Sequence, residues 1–238
     1  MPGTARFDTR LRRYPDTAAL TEALAAQIVT ALEDALRAGR SASLVVSGGR
    51  SPLALCDTLS SAVLDWRRVW ITLTDERWVE TTSSDSNEHL LREHLLRNAA
   101  AQANFVGMKN DAAQPGDGAA ASWSAIAPLP RPFDYVLLGM GDDGHTASLF
   151  PDSPGIADAI DPLQPPGCVG MSAPLAPRAR MSLNLSALLD SRRIGLLIIG
   201  SGKWAAYERA GVSGPVADMP VRALLRQQQV PVSVCWAP

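Results

Sequence analysis

Phe133-Asp134-Tyr135-Val136-Leu137-Leu138-Gly139-Met140-Gly141-Asp142-Asp143-Gly144-His145 carries the clearest strand-to-loop transition in the sequence. The run Phe133–Leu138, apolar but for Asp134, has the length and composition of a buried strand, and it runs straight into a polar glycine loop. The same pairing of strand and loop recurs along the chain. Leu44-Val45-Val46 opens onto Ser47-Gly48-Gly49, Val69–Leu73 onto Thr74–Trp78, and Gly195–Ile199 onto Gly200-Ser201-Gly202. Met181–Leu185 and Val230–Trp236 read as two further strands. Helical patterns lie between them. Leu20, Leu24, Ile28, Leu32 and Leu36 recur at helical spacing within Thr17–Arg40, with Asp16 placed to cap the start and Gly39 to stop the end. Pro52 suits the first turn of a helix over Pro52–Leu59. Asp85 followed by Glu88 resembles a capping box for a helix through Leu96, and another helix starts at Lys203. Strands alternating with helices predict an α/β fold with a mostly parallel sheet. Asn110–Ala121 and Pro151–Pro166, rich in Ala, Gly, Pro and Asp, read as surface excursions.

This arrangement has a functional corollary. In an open parallel sheet the carboxyl ends of the strands share one edge, where ligands bind. The loops Ser47–Ser51, Thr74–Trp78, Gly139–His145 and Gly200–Lys203 are therefore expected to converge on one crevice.

Composition narrows the function classes. The chain has 238 residues, 46% of them hydrophobic and 19% charged, enough to bury a core in one domain spanning residues 1–238. Its 22 Lys and Arg against 24 Asp and Glu leave a net charge of −2, which argues against a nucleic-acid binder. No run reaches the ~18 apolar residues of a membrane span. Met1–Asp8 has no apolar core of a secretory signal, so a cytoplasmic location is expected. Cys56, Cys168 and Cys235 are odd in number and far apart, the pattern of buried thiols in a reducing compartment.

Three motif readings fail on context. Gly139–Gly144 matches G-x-G-x-x-G after a strand, but two carboxylates occupy the loop and Pro151 forbids the long helix that a dinucleotide site needs. Gly202-Lys203 resembles the end of a P-loop, but Leu197 stands where its upstream glycine belongs, and Trp204 replaces the magnesium-binding hydroxyl. No G-x-S-x-G nucleophile elbow is present. His89 and His94 are five apart and do not form a helical metal pair. Neither a metal nor a nicotinamide cofactor is expected.

Two constellations remain. His145 follows Asp143 by two residues at a strand end, an arrangement in which a carboxylate holds an imidazole in one tautomer for proton transfer. Ser47-Gly48-Gly49-Arg50-Ser51-Pro52 lies between a strand and a helix start, where backbone N–H groups and hydroxyls can cradle an anion. Arg77 and Lys203, each just past another strand, supply cations for a phosphate dianion.

These segments resemble the 6-phosphogluconolactonases, of the superfamily that also holds the glucosamine-6-phosphate deaminase/isomerases. The resemblance rests on Ser47–Pro52, Thr74-Asp75-Glu76-Arg77-Trp78-Val79, Ser84–Asn87, Gly139–Pro151, Pro177–Ser182 and Gly200–Lys203, in the family's order over nearly the whole chain. It implies a modified doubly wound, Rossmann-like sheet and hydrolysis of 6-phosphogluconolactone in the oxidative pentose phosphate pathway. It implies His145 as general base beside Asp143. Substrate binding would fall to Ser47, Gly48, Gly49, Arg50, Ser51, Asp75, Arg77, Arg180 and Lys203. The implied partner is a small sugar-phosphate lactone, with the chain a monomer or small homo-oligomer. Glu80, where the family's motif continues with proline, Arg50 in place of a small residue, Ser182 in place of threonine, and an end at Pro238 without an Asp-containing tail depart from the pattern. The deaminase/isomerases carry a glutamate five residues after the histidine, where this chain has Phe150, and an aromatic residue where it has Arg77. A regulatory sugar-phosphate sensor on the same fold would need a helix-turn-helix segment, for which no sequence is left over.

Overall fold

The computed structural model describes residues 9–238; the stretch read for a leader lies outside them. Among the described residues there are ten strands: β1 (Thr9–Arg13), β2 (Ala42–Val46), β3 (Val69–Leu73), β4 (Asp75–Arg77), β5 (Asn104–Val106), β6 (Tyr135–Gly139), β7 (Cys168–Ser172), β8 (Ala179–Leu183), β9 (Ile194–Ile199) and β10 (Val232–Ala237). The helices are α1 (Thr17–Arg37), α2 (Leu53–Ser60), α3 (Asn87–His94), α4 (Pro115–Ile126), α5 (Ile156–Ala159), α6 (Leu185–Leu189), α7 (Ser201–Gly211) and α8 (Val221–Arg226).

Seven strands form one parallel sheet in the order β1-β10-β9-β6-β2-β3-β5. All five residues of β2, including Ser43, are buried. Such strands read as near-continuous apolar runs because helices cover both faces of a parallel sheet. From β2 the chain moves outward through β3 to β5, then returns to the other side of β2 as β6. The order therefore reverses between β2 and β6. A crevice opens at such a point, outside the carboxyl ends of the two strands, and those ends are Ser47 and Gly139.

The α/β reading with a parallel sheet holds, with four corrections. Met181–Leu185 was expected as a strand of the main sheet. The strand is Ala179–Leu183, and it belongs to a separate antiparallel sheet, β4-β8-β7, in which Asp75 pairs with Ser182 and Arg77 with Arg180. Asp75–Arg77, expected in a loop, is the first strand of that sheet. Asn110–Ala121, read as an excursion, contributes most of α4. The Ala- and Gly-rich stretch carries almost no apolar periodicity because its small residues serve close approach: the backbone of Gly116 lies against Gly170 of β7.

The fourth correction concerns the start of α3. Asp85 and Glu88 do not form a capping box. Ser86 is the N-cap and accepts from the His89 N–H at 3.2 Å, while Glu88 pairs with Arg92. The reason is Glu76, fully buried on β4. Its carboxylate accepts the N–H groups of Asn87 (2.7 Å), Glu88 (2.8 Å) and Arg77 (2.7 Å) and the Ser86 hydroxyl (2.9 Å). A residue of the small sheet thus satisfies the orphan donors of a helix start. Burial pushes the Glu76 carboxyl up, and the four donors oppose that shift. Glu76→Ala strands four buried donors at once and is expected to lower stability by about 3 kcal/mol or more, read as a fall in the urea midpoint at constant slope. An unchanged midpoint would mean that the start of α3 does not depend on Glu76.

Candidate active site

A cavity of about 560 Å³ lies at the switch point, lined by residues from four separate strand ends. It brings together the 47–52 loop after β2, Asp75 and Arg77 of β4, Gly139–Gly141 with His145 after β6, and Lys203 near the start of α7. It continues into a second lobe of about 440 Å³, shared at Asp75, Arg77 and His145, that adds Asp143, Phe150 and Arg180. The convergence expected from the glycine loops is therefore present, and every sequence-derived site residue lines one lobe or both.

His145 is held on three sides. Its Nδ1 lies 2.6 Å from Asp143 Oδ1, and its backbone N–H donates to the same oxygen at 3.1 Å. The Phe150 ring packs at 4.3 Å between centroids, tilted 40°. On the third side is Gly141, where a Cβ would sit 2.2 Å from the imidazole; only hydrogen fits. Burial alone would push the Asp143 carboxyl up. The hydrogen bond and charge of His145, with backbone donors, outweigh it and hold the carboxyl below its ordinary value. An ionised Asp143 on Nδ1 favours the tautomer with a proton there, leaving Nε2 as the basic nitrogen.

The glycine loop differs in detail from the sequence reading. The Ser47 hydroxyl turns inward, donating to the Leu137 carbonyl at 2.8 Å and accepting the Gly139 N–H at 3.2 Å. It stitches β2 to β6, and only the rest of the loop remains for a ligand. Lys203 Nζ donates to Ser51 Oγ at 3.0 Å, bringing α7 onto the loop. Burial, with Arg50 nearby, pushes the Lys203 ammonium down, against the pull of Asp142. Arg50 itself is exposed at the rim.

Asp75 is also committed to the scaffold. It accepts the Thr74 hydroxyl at 2.8 Å and the Ser148 hydroxyl at 2.6 Å, tying β4 to the segment after His145. Arg77 donates through Nη1 to the Asp85 carbonyl at 2.6 Å, which braces the approach to α3. Its cross-strand partner Arg180 is 8% exposed, and its Nε and Nη1 are buried without a hydrogen-bond partner. Burial and the neighbouring Arg77 both push the Arg180 guanidinium down. Two guanidinium groups set directly opposite one another on a ladder repel, so this lobe is built to receive negative charge.

Sequence reasoning missed Asn87 and Leu175. Asn87 Nδ2 donates to the Asp75 carbonyl at 2.8 Å, and its carboxamide lies so close to Gly48 that a Cβ there would fall 1.9 Å from Oδ1. It fixes the glycine loop against β4. Leu175, 77% exposed, overhangs both lobes from a proline-rich loop with no periodic pattern to reveal it. His89 and His94 are half-buried beside Glu93 and Asp57. Among the described residues no group of three or more His, Cys, Asp or Glu side chains is placed to hold a metal ion.

A family model for glucosamine-6-phosphate isomerases/6-phosphogluconolactonase matches residues 15–236. The chain belongs to this family. A 6-phosphogluconolactonase of Pseudomonas aeruginosa is 42% identical over 228 residues, covering 96% of this chain and 94% of its own length. The crystal structure of a 6-phosphogluconolactonase from Shewanella baltica superposes with a TM-score of 0.93 at 43% identity, covering 99% of this chain and 100% of that one. A monomeric glucosamine-6-phosphate deaminase, 16% identical with a TM-score of 0.76, shares the fold.

Proposed function

We propose that the chain is a carboxylic ester hydrolase that opens 6-phosphoglucono-1,5-lactone to 6-phosphogluconate. The observation that carries this reading is the single imidazole at the carboxyl end of β6, oriented by Asp143 and facing a crevice with cationic groups at both ends. A δ-lactone is an activated ester and needs little more than a positioned base and water. His145 Nε2 takes a proton from a water as its oxygen attacks C1. The resulting tetrahedral intermediate collapses with cleavage of the bond from C1 to the ring oxygen, and the imidazolium returns the proton to that oxygen. The sum is lactone plus water giving the hydroxy acid, which ionises in solution. Asp143 remains a carboxylate throughout and stabilises the imidazolium. The phosphate, held by the 48–51 loop with Lys203 and Arg77, places C1 near the imidazole, so that remote binding energy is used for positioning.

The amino-sugar deaminase reading is disfavoured at one place. Where those enzymes need a carboxylate five residues after the histidine, this chain packs the Phe150 ring on the imidazole. The lactonase reading is tested by adding fresh lactone to the protein in a pH-stat. The expected result is base uptake well above the spontaneous rate, equal in moles to lactone consumed. An uncatalysed rate would refute it.

Gly141→Ala follows from the same geometry. A methyl group 2.2 Å from the ring must push His145 off its position. Displacements of about 1 Å can cost about 10²-fold in rate, so kcat is expected to fall by that order while the fold persists by circular dichroism. Unchanged kcat would show that the imidazole's position is not critical.

A further inference from the structure

A second cavity of about 330 Å³ lies at the opposite end of the main sheet, around the amino ends of β6, β9 and β10. Pairing registers show how it is formed. Arg10 of β1 pairs with Ser233 of β10, Ser233 with Gly195 of β9, and Gly195 with Leu137 of β6, so these positions share one face of the sheet. Arg12 and Tyr135, each two residues from a member of that row, share the same face. Gly195 has no side chain to fill it, and the Tyr135 ring lies across the gap, its hydroxyl 2.4 Å from where a Cβ would stand. Ser233 is small, and Gln27 of α1 closes the side. Arg193, just before β9, completes the rim.

The polar balance is one-sided. Three guanidinium groups, from Arg10, Arg12 and Arg193, line a space whose nearest paired carboxylate is Asp34, 3.6 Å from Arg193. Among the described residues neither Arg10 nor Arg12 forms an ion pair. The Tyr135 hydroxyl is buried, with the residue 2% exposed, and has no hydrogen-bond partner. Buried hydroxyls are nearly always satisfied, so an orphaned one on a residue that lines the cavity offers a donor to a ligand atom. Burial also pushes the phenol up, so at neutral pH it is a donor and not a phenolate.

We propose that this hollow is a second binding site, distinct from the crevice at the other end of the strands, for a small multiply charged anion carrying phosphate or carboxylate groups. Planar guanidinium forks suit both groups, which accept paired N–H donors. The volume is at the small end of ligand pockets, which favours a compact polyanion over a nucleotide. Tyr135 donates to the innermost oxygen, and the arginines grip the outer charges. A strand of five residues, roughly 17 Å, separates the two sites, so both can be filled at once.

Isothermal titration calorimetry at 150 mM salt with pyrophosphate, citrate and orthophosphate tests this. The proteins are the wild type, an Arg12→Ala/Arg193→Ala variant, Tyr135→Phe, and an Arg77→Ala/Lys203→Ala variant of the crevice. Pyrophosphate or citrate is expected to bind saturably, and more tightly than orthophosphate. That binding should survive the crevice variant, weaken at least tenfold in the arginine variant, and weaken several-fold in Tyr135→Phe. Preference for pyrophosphate assigns a phosphate ligand, and preference for citrate a polycarboxylate. The arginine pair is exposed and Tyr135→Phe removes one oxygen, so both variants are expected to fold and to retain the wild-type rate of lactone opening. The proposal is overturned if no anion binds saturably, if binding is lost in the crevice variant but kept in the arginine variant, or if Tyr135→Phe binds as tightly as wild type.

Discussion

His145→Ala and His145→Gln are expected to lower kcat by about 10²–10⁴-fold, the usual contribution of a positioned general base, while 6-phosphogluconate still binds. The magnitude follows from the isolation of this imidazole. His89 and His94 lie elsewhere on α3, and Asp75, the nearest buried carboxylate of the crevice, already accepts two hydroxyls. The Gln variant keeps a polar group of similar reach but has no basic nitrogen. Its loss therefore separates proton transfer from simple occupancy. Rates must be corrected for spontaneous lactone hydrolysis. A variant with near wild-type turnover would remove His145 from the chemistry and shift attention to a water held by the arginine pair.

Arg77→Ala and Lys203→Ala are each expected to weaken 6-phosphogluconate binding by roughly one to two decades, from about 1.5–3 kcal/mol per charge-assisted contact removed. Binding of unphosphorylated gluconate, weak in any case, should hardly change. Arg77 already gives Nη1 to the Asp85 carbonyl, so its effect is expected to be the smaller. Lys203 also predicts a pH dependence. Burial, reinforced by Arg50, has pushed its ammonium down, so the free protein loses that charge earlier as pH rises. Phosphate affinity is then expected to decline on the alkaline side, below the ordinary lysine range, and to lose that decline in Lys203→Ala. Equal losses for phosphorylated and unphosphorylated ligand would reject the clamp and move the phosphate to Arg180.

The parts of this molecule that were legible in its sequence are those governed by local rules. Buried strands such as Val69–Leu73 are apolar but for Thr72, and the glycine loops after β2 and β6 mark the strand ends that meet at the switch point. What stayed hidden depends on contacts between distant segments. No local signal shows that Glu76 will cap α3 in place of a capping box, or that Ser47 will spend its hydroxyl on Leu137. Nor does any pattern reveal that Arg77 and Arg180 stand opposite one another, since that pairing is made by a small antiparallel sheet of short strands. The helix α4 escaped because its Ala- and Gly-rich face is selected for close packing, and such a face carries no hydrophobic stripe.

The proposed reaction requires one orientation: phosphate on the glycine loop with Lys203, and C1 at His145. A crystal structure of the His145→Gln variant with bound 6-phosphogluconate tests it most directly. The expected result is phosphate oxygens within about 3 Å of Lys203 Nζ and the backbone N–H groups of the 48–51 loop, with the C1 carboxylate beside residue 145. A phosphate seated instead between Arg77 and Arg180, with C1 directed toward Ser51, would contradict it.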